Sequence, residues 1–212
     1  MVLDPKSLSL YLVTDRALCA HHGLIETVTA AVRGGVSFVQ LRDKTATTAD
    51  RTALARALKH ALRDTPVPLV INDDLDAAIA ADVDGVHIGQ GDVSPTDARA
   101  RLGPDKLVGL SCDTANHVRA ADPALVDYLG LGTVFPTDTK TDHKPAIGFD
   151  GLATLTALSP CPTVAIGGLK RGHAANVLTA GCNGIAVVSA ICGQPDPEAA
   201  ARTLRTELEA HT

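Results

Sequence analysis

Eight short runs of apolar, largely β-branched residues recur along the chain, at residues 8–14, 36–41, 67–71, 85–88, 107–110, 127–130, 163–166 and 185–188. This recurrence constrains the fold more than any other feature. Several runs carry apolar residues on both faces, the pattern of parallel strands covered by helices. Between them lie alanine-rich stretches with helical spacing, such as residues 50–63 and 96–101. Residues 197–209 read as an amphipathic helix, with a proline at its start and an acid in its first turn. Strand and helix in alternation build right-handed βαβ units and a parallel sheet. Shared among eight units, 212 residues give about 26 residues each, which suits a single-domain (β/α)8 TIM barrel over residues 1–212. A weak internal repeat agrees. Residues 81–86 (ADVDGV), 180–185 (AGCNGI) and, more loosely, 31–36 (AVRGGV) each look like a helix end, a tight turn and a new strand. The alternative is a doubly wound open sheet, but no G-x-G-x-x-G follows the first strand.

Composition removes several function classes. A net charge of −5 argues against non-specific binding to nucleic acid or an anionic membrane. Aromatic residues are only 2% of the chain, too few for a base-stacking surface. No apolar run approaches the roughly 18 residues of a membrane span, and the N-terminus carries an early acid and no signal-peptide pattern. The five cysteines are scattered without a C-x-x-C pair, so reduced, mostly buried thiols in a cytoplasmic protein are expected. A homo-oligomer is left open.

In a barrel of this kind chemistry sits at the C-terminal ends of the strands, and polar residues gather at those positions. Gln40, Arg42 and Lys44 are spaced by two, so an extended backbone would turn all three to one side. Two cations and an amide there suit an anion, although a solvated strand terminus would explain the same charges. Asn72-Asp73-Asp74 and Asp92 end the third and fourth strands. Carboxylates from separate strand ends suit Mg²⁺, which completes its shell with water and phosphate oxygens. Helix capping is the competing explanation, and it is assigned to Asp74. The stretch that opens Phe135-Pro136-Thr137-Asp138-Thr139-Lys140 is long for a βα loop. Gly167-Gly168 and Val188-Ser189 end the seventh and eighth strands, where barrels often bind phosphate through backbone N–H groups. His21, His22 and Cys19 match no zinc spacing, and His87, inside an apolar strand, is expected to be a hydrogen-bonded core residue.

Six of these segments stand in an order that resembles the thiamine phosphate synthase family. They are Gln40-Leu41-Arg42-Asp43-Lys44, Ile71-Asn72-Asp73, the GVHIGQGD of residues 85–92, the FPTDTK of residues 135–140, Ala165-Ile166-Gly167-Gly168, and the VVSAI of residues 187–191. The resemblance spans residues 10 to 191. It implies a (β/α)8 barrel enzyme that joins 4-amino-2-methyl-5-pyrimidinylmethyl diphosphate to 4-methyl-5-(2-phosphoethyl)thiazole. By motif, Gln40, Arg42, Lys44, Asn72, Ser111 and Lys140 would hold the pyrimidine diphosphate, with Arg42, Lys44 and Lys140 assisting its departure. Asp73 and Asp92 would bind Mg²⁺. Thr137 and Thr139 would contact the thiazole, and Gly168, Val188 and Ser189 its phosphate. The resemblance further implies a dissociative substitution, in which C–O cleavage precedes attack by the thiazole nitrogen.

The chain departs from the family in one motif. After the fifth strand the family often has Ser-x-His, whereas here Ser111-Cys112-Asp113 stands. A thiazole tautomerase of the same fold would need a proton-shuttling group there, typically that histidine, and would not need the full diphosphate site. Retention of Arg42, Lys44, Asp73, Asp92 and Lys140 therefore favours the synthase. A non-catalytic phosphate-binding barrel would tolerate decay of the two carboxylates, and no such decay is visible.

Overall fold

The computed structural model describes residues 3–137 and 145–211. Among these residues a 3-10 turn, Pro5–Leu8, is followed by eight strands and eight helices in strict alternation. They are β1 (Leu10–Val13), α1 (Leu24–Arg33), β2 (Phe38–Leu41), α2 (Thr48–Leu62), β3 (Leu69–Asn72), α3 (Leu75–Ala81), β4 (Gly85–Ile88), α4 (Pro95–Leu102), β5 (Leu107–Cys112), α5 (Ala115–Ala120), β6 (Tyr128–Leu131), α6 (Gly148–Ala157), β7 (Thr163–Ile166), α7 (Ala174–Thr179), β8 (Gly184–Val187) and α8 (Pro197–Glu209). Every neighbouring pair is parallel. β1 pairs with both β2 and β8, so the sheet closes into a (β/α)8 barrel with no free edge.

Alternation along each short strand sorts side chains into two cores. Leu10 and Leu12, Val39 and Leu41, Leu69 and Ile71, and Val86 and Ile88 face outward and pack beneath the helices. Tyr11, Val13, Phe38, Val70, Leu107, Tyr128, Val164 and Ala186 fill the interior, with Leu8 of the 3-10 turn among them. Three of the five aromatic rings stand in that interior. Tyr11 and Phe38 have centroids 4.4 Å apart, and Phe38 and Tyr128 5.5 Å. The other two, Phe135 and Phe149, meet edge to face at 5.0 Å outside the barrel.

The sequence reading of the strands holds to within a few residues. It places 85–88, 163–166 and the final helix where the structure has them. It starts the first strand too early, because Asp4 accepts a hydrogen bond from the Lys6 amide and Pro5 opens a helical turn. It ends the fifth strand too soon. β5 runs on through Ser111 and Cys112, which pair with Gly130 and Leu131. All five cysteines are free thiols, and four of them are buried. Among the described residues no helix is long and apolar enough to cross a membrane.

Candidate active site

β2 delivers Gln40 into the barrel, nearly buried, where its Nε2 donates to the Tyr11 hydroxyl at 2.7 Å. The strand ladder stops at Leu41, so the next two site residues are set by loop contacts instead of alternation. Thr14, at the end of β1, grips the Arg42 backbone from both sides. Its hydroxyl accepts from the Arg42 amide at 2.9 Å and faces the Arg42 carbonyl at 3.2 Å. Asp43 is buried and organises the turn beyond. Its carboxylate accepts from Arg16, from the Thr45 amide and hydroxyl, and from the Ala46 amide, at 2.9 to 3.1 Å. Burial alone would raise the Asp43 carboxyl, but Arg16 and the Thr45 and Ala46 groups outweigh it and hold it below its usual range. Lys44 is exposed at the rim of the mouth.

The Arg42 Nη2 group is buried and, among the described residues, has no hydrogen-bond partner. A buried guanidinium donor without an acceptor is costly, and the cost is removed when an anion accepts from it. The same guanidinium lies near enough to Asp73 to pull down its pKa.

Asp73 follows β3 with a left-handed backbone, φ 63°. Asp tolerates this better than most residues, and its amide is anchored to the His87 carbonyl at 2.8 Å. Its carboxyl is within hydrogen-bonding reach of Asp92, which the β4 loop supplies and the Gly89 amide holds at 2.7 Å. Partial burial and then this like-charged neighbour push Asp73 up to about 6, while Asn72 and Arg42 pull the other way. Two acids forced together beside a single guanidinium form a donor set that a hard divalent cation relieves. Among the described residues no cluster of three or more His, Cys, Asp or Glu forms a closed metal cage. Two carboxylates are a donor set of the kind Mg²⁺ can take, with water and phosphate in its other positions.

Asp74 does different work. Its Oδ1 accepts from the Ala77 amide at 2.9 Å and caps α3, and its Oδ2 meets Arg51 of α2. Arg51 also donates to the carbonyls of Asp43 and Ala46 at 2.8 and 2.9 Å. Burial would raise the Asp74 carboxyl, but the Ala77 amide, Thr48 and Arg51 hold it below its ordinary value. Asp74→Ala is expected to remove a cap and break a largely buried ion pair, costing about 3 kcal/mol of stability at pH 7. Turnover per folded molecule should change little. Because the folded pKa is depressed, this stability is present above the ordinary carboxylate pKa of about 4 and is lost as pH falls through the lower folded value. Denaturation midpoints of both proteins at pH 7 and pH 3 check it: the gap should shrink on acidification. A cation site at Asp74 would instead show as lost turnover in a stable protein.

A groove of roughly 560 Å³ opens beside the mouth, lined by Lys44, Asn72 and Asp73 together with Arg51, Asp74 and Arg101. Across the mouth, Ser111 extends β5 inward and its Oγ lies 2.9 Å from His87 Nε2. Gln90 braces the same strand by donating to the Ser111 carbonyl at 2.7 Å. Asp113 pairs with His117 at 2.6 Å.

The β7 and β8 ends form the other side. Gly167 and Gly168 have φ of 101° and 64°. A Cβ on Gly167 would stand 2.9 Å from Thr133 Cα, and one on Gly168 2.8 Å from the carbonyl oxygens of Phe135 and Pro136. Glycine is required here both for the left-handed backbone and for close passage of the β6 loop. After β8 the Ile191 and Cys192 amides turn back onto the Val188 carbonyl at 3.0 and 2.8 Å, leaving Ser189 exposed. Thr137 is half-buried at the start of the β6 loop. Thr139 and Lys140 lie outside the described residues. The structure thus brings Gln40, Arg42, Lys44, Asn72, Asp73, Asp92, Ser111, Thr137, Gly168, Val188 and Ser189 to one end of the barrel. The sequence marks Thr14 as one of the polar residues at the strand ends but gives it no role, and it gives no sign of Arg51 beyond an arginine in the first turns of a helix.

Comparison with known proteins agrees with this geometry. A family model described as thiamine monophosphate synthase matches residues 10–191. A thiamine-phosphate synthase of Azorhizobium caulinodans is 51% identical over 205 residues, 97% of each chain. One from a Psychrobacter species is 53% identical over 201 residues, 93% of this chain and 94% of that one. A solved thiamine phosphate pyrophosphorylase from Pyrococcus furiosus superposes with a TM-score of 0.87 at 34% identity, over 97% of this chain and 98% of that one.

Proposed function

The chain belongs to the thiamine monophosphate synthase family of transferases, and on that premise we propose that it joins 4-amino-2-methyl-5-pyrimidinylmethyl diphosphate to 4-methyl-5-(2-phosphoethyl)thiazole, giving thiamine phosphate and diphosphate. The observation that carries this reading is the unpartnered, buried Arg42 Nη2 beside the Asp73–Asp92 pair. A diphosphate satisfies the first, and with a divalent cation it relieves the second.

Gln40, Arg42, Lys44, Asn72, Ser111 and Lys140 would hold the pyrimidine diphosphate. Thr137 and Thr139 would contact the thiazole, with its phosphate on Gly168, Val188 and Ser189. Asp73 and Asp92 would hold Mg²⁺, which when bound supplies positive charge to the diphosphate oxygens. In the proposed dissociative route the C–O bond breaks first, and its electron pair leaves with diphosphate. The aminopyrimidine spreads the resulting cation. The thiazole nitrogen then donates its lone pair to the methylene carbon, so no protein base is consumed. Arg42, Lys44 and Lys140 stabilise the charge that grows on the leaving group. A tautomerase would require a proton carrier after Ser111. Asp113 stands where the resemblance would place a histidine and is paired with His117, so the proton-exchange measurement below separates the two activities.

The test is diphosphate release from purified protein given both substrates and Mg²⁺, with thiamine phosphate formed in equal amount. Proton exchange on the thiazole without the pyrimidine would overturn the reading. In the same assay Asp73→Ala and Asp92→Ala should each raise the Mg²⁺ concentration needed for half-maximal rate by about tenfold or more, since each removes a hard oxygen ligand. Unchanged Mg²⁺ dependence in both would remove the carboxylate pair from the cation site.

A further inference from the structure

Beneath the mouth, a chain of hydrogen bonds crosses the barrel interior. Gln40 Nε2 donates to Tyr11 Oη at 2.7 Å, the Tyr11 and Tyr128 hydroxyls meet at 2.8 Å, Tyr128 Oη is 3.1 Å from His87 Nδ1, and His87 Nε2 is 2.9 Å from Ser111 Oγ. Its two ends, Gln40 and Ser111, are residues assigned above to the pyrimidine. Its three middle members are assigned nothing.

We propose that Tyr11, Tyr128 and His87 are positioning residues that fix the direction of this chain, so that Gln40 presents an acceptor and Ser111 a donor to the pyrimidine and an aminopyrimidine edge is selected over an oxo edge. The proposal rests on the synthase reading for the identity of the ligand.

The direction follows from counting protons. Each phenol has one hydrogen to give. Tyr11 receives from Gln40 Nε2, so its own hydrogen goes to Tyr128 Oη. The Tyr128 hydrogen then goes to His87 Nδ1. His87, neutral with Nδ1 accepting, carries its proton on Nε2 and donates it to Ser111 Oγ. The Ser111 hydrogen is thereby left for the mouth, as is the Gln40 carbonyl oxygen. Tyr11 and Tyr128 are 1% and 0% exposed, so water cannot replace either partner. Burial pushes both phenols well above their ordinary pKa and keeps them protonated. A buried chain of this kind is cooperative, because turning one link would strand a donor against a donor.

An aminopyrimidine edge offers a ring nitrogen that accepts and an amino group that donates. That pattern complements Ser111 and Gln40 in the stated sense. The 4-oxo analogue reverses both, with a ring N–H and a carbonyl of nearly the same shape. A site whose polar groups are held in one sense rejects the reversed pattern far better than a site free to reorient.

The experiment compares kcat/KM for the 4-amino and 4-oxo pyrimidine diphosphates in wild type, Tyr128→Phe and Tyr11→Phe, alongside the ¹⁵N shifts of the His87 ring. Wild type should prefer the amino compound and show His87 as the neutral Nε2–H tautomer. Tyr128→Phe removes the donor to Nδ1. It should cut the amino-over-oxo preference about tenfold or more and give a mixed tautomer. Tyr11→Phe frees Gln40 and should also reduce the preference, but it should leave the His87 tautomer as in wild type. A purely structural loss would lower both substrates equally. An unchanged preference in Tyr128→Phe overturns the proposal, as does a wild-type His87 protonated on Nδ1. Wild type inactive toward both diphosphates would instead sink the synthase reading, and the ring shifts would still decide the direction of the chain.

Discussion

Replacing Gly109 by alanine should cost the barrel about 4 kcal/mol or more. This is larger than a typical glycine-to-alanine change because the new carbon has nowhere to go. It would stand 2.2 Å from Tyr128 Cζ, 2.4 Å from Tyr128 Oη and 2.5 Å from His87 Nδ1. None of these atoms is the far end of a flexible side chain. Tyr128 is hemmed in by Phe38 and Tyr11, and His87 by its bonds to Tyr128 and Ser111. An interior at crystal-like density absorbs such an intrusion only by moving strands apart. Gly91→Ala is the control, since a Cβ there meets nothing within 4 Å. Urea denaturation of the two variants decides the matter. A Gly109→Ala midpoint equal to that of Gly91→Ala would mean that β5 and β6 shift far more easily than their packing implies.

Arg42→Lys should lower kcat/KM about a hundredfold or more, although charge is conserved. The backbone of Arg42 is fixed on both sides by Thr14, so the side chain enters the mouth from a set position. Its Nη2 donor is buried and waits for an acceptor. Lysine supplies a point charge on a flexible stem and cannot present two parallel N–H groups to a phosphate. Arg42 is also a cation beside Asp73 that holds down the pKa of that carboxyl. Arg42→Ala should therefore raise the Asp73 pKa further and weaken cation binding at pH 6 to 7. Steady-state kinetics with the pyrimidine diphosphate varied, and inhibition by inorganic diphosphate, measure both effects. Kinetics of Arg42→Lys indistinguishable from wild type would put the guanidinium in solvent.

Much of the barrel is visible in the sequence because period and composition act locally. The runs at 85–88 and 163–166 are bounded by turn residues and coincide with β4 and β7. The cap role of Asp74 is equally local, since its partner Ala77 is three residues away. His87 was expected to be a hydrogen-bonded core residue, and it is, with partners on β5 and β6. The identity of those partners is invisible in the sequence. Tyr11 and Tyr128 are 117 positions apart and meet only once the barrel closes. Arg51 is hidden for a different reason: on a helical wheel it looks like a solvent-facing cation, and only the approach of the β3 loop gives it Asp74. The alternation argument for Gln40, Arg42 and Lys44 stops where the strand does. Beyond Leu41 it is Thr14 and the buried Asp43 that carry the chain to the mouth.

Arg51 ties three groups together: the Asp74 carboxylate after β3 and the carbonyls of Asp43 and Ala46 after β2. Lys44 stands on one of these loops and Asp73 on the other. Two flexible loops would each have to give up backbone freedom when a ligand arrives, at about 1 to 2 kcal/mol for every residue that becomes ordered. Here the Arg51 bonds hold both loops in the folded chain, so a diphosphate bound as proposed would meet a surface already set. Affinity for small anions should then depend little on temperature-driven loop motion, and Arg51, by holding both loops at the edge of the groove it lines, should lower the entropy cost of binding at the mouth.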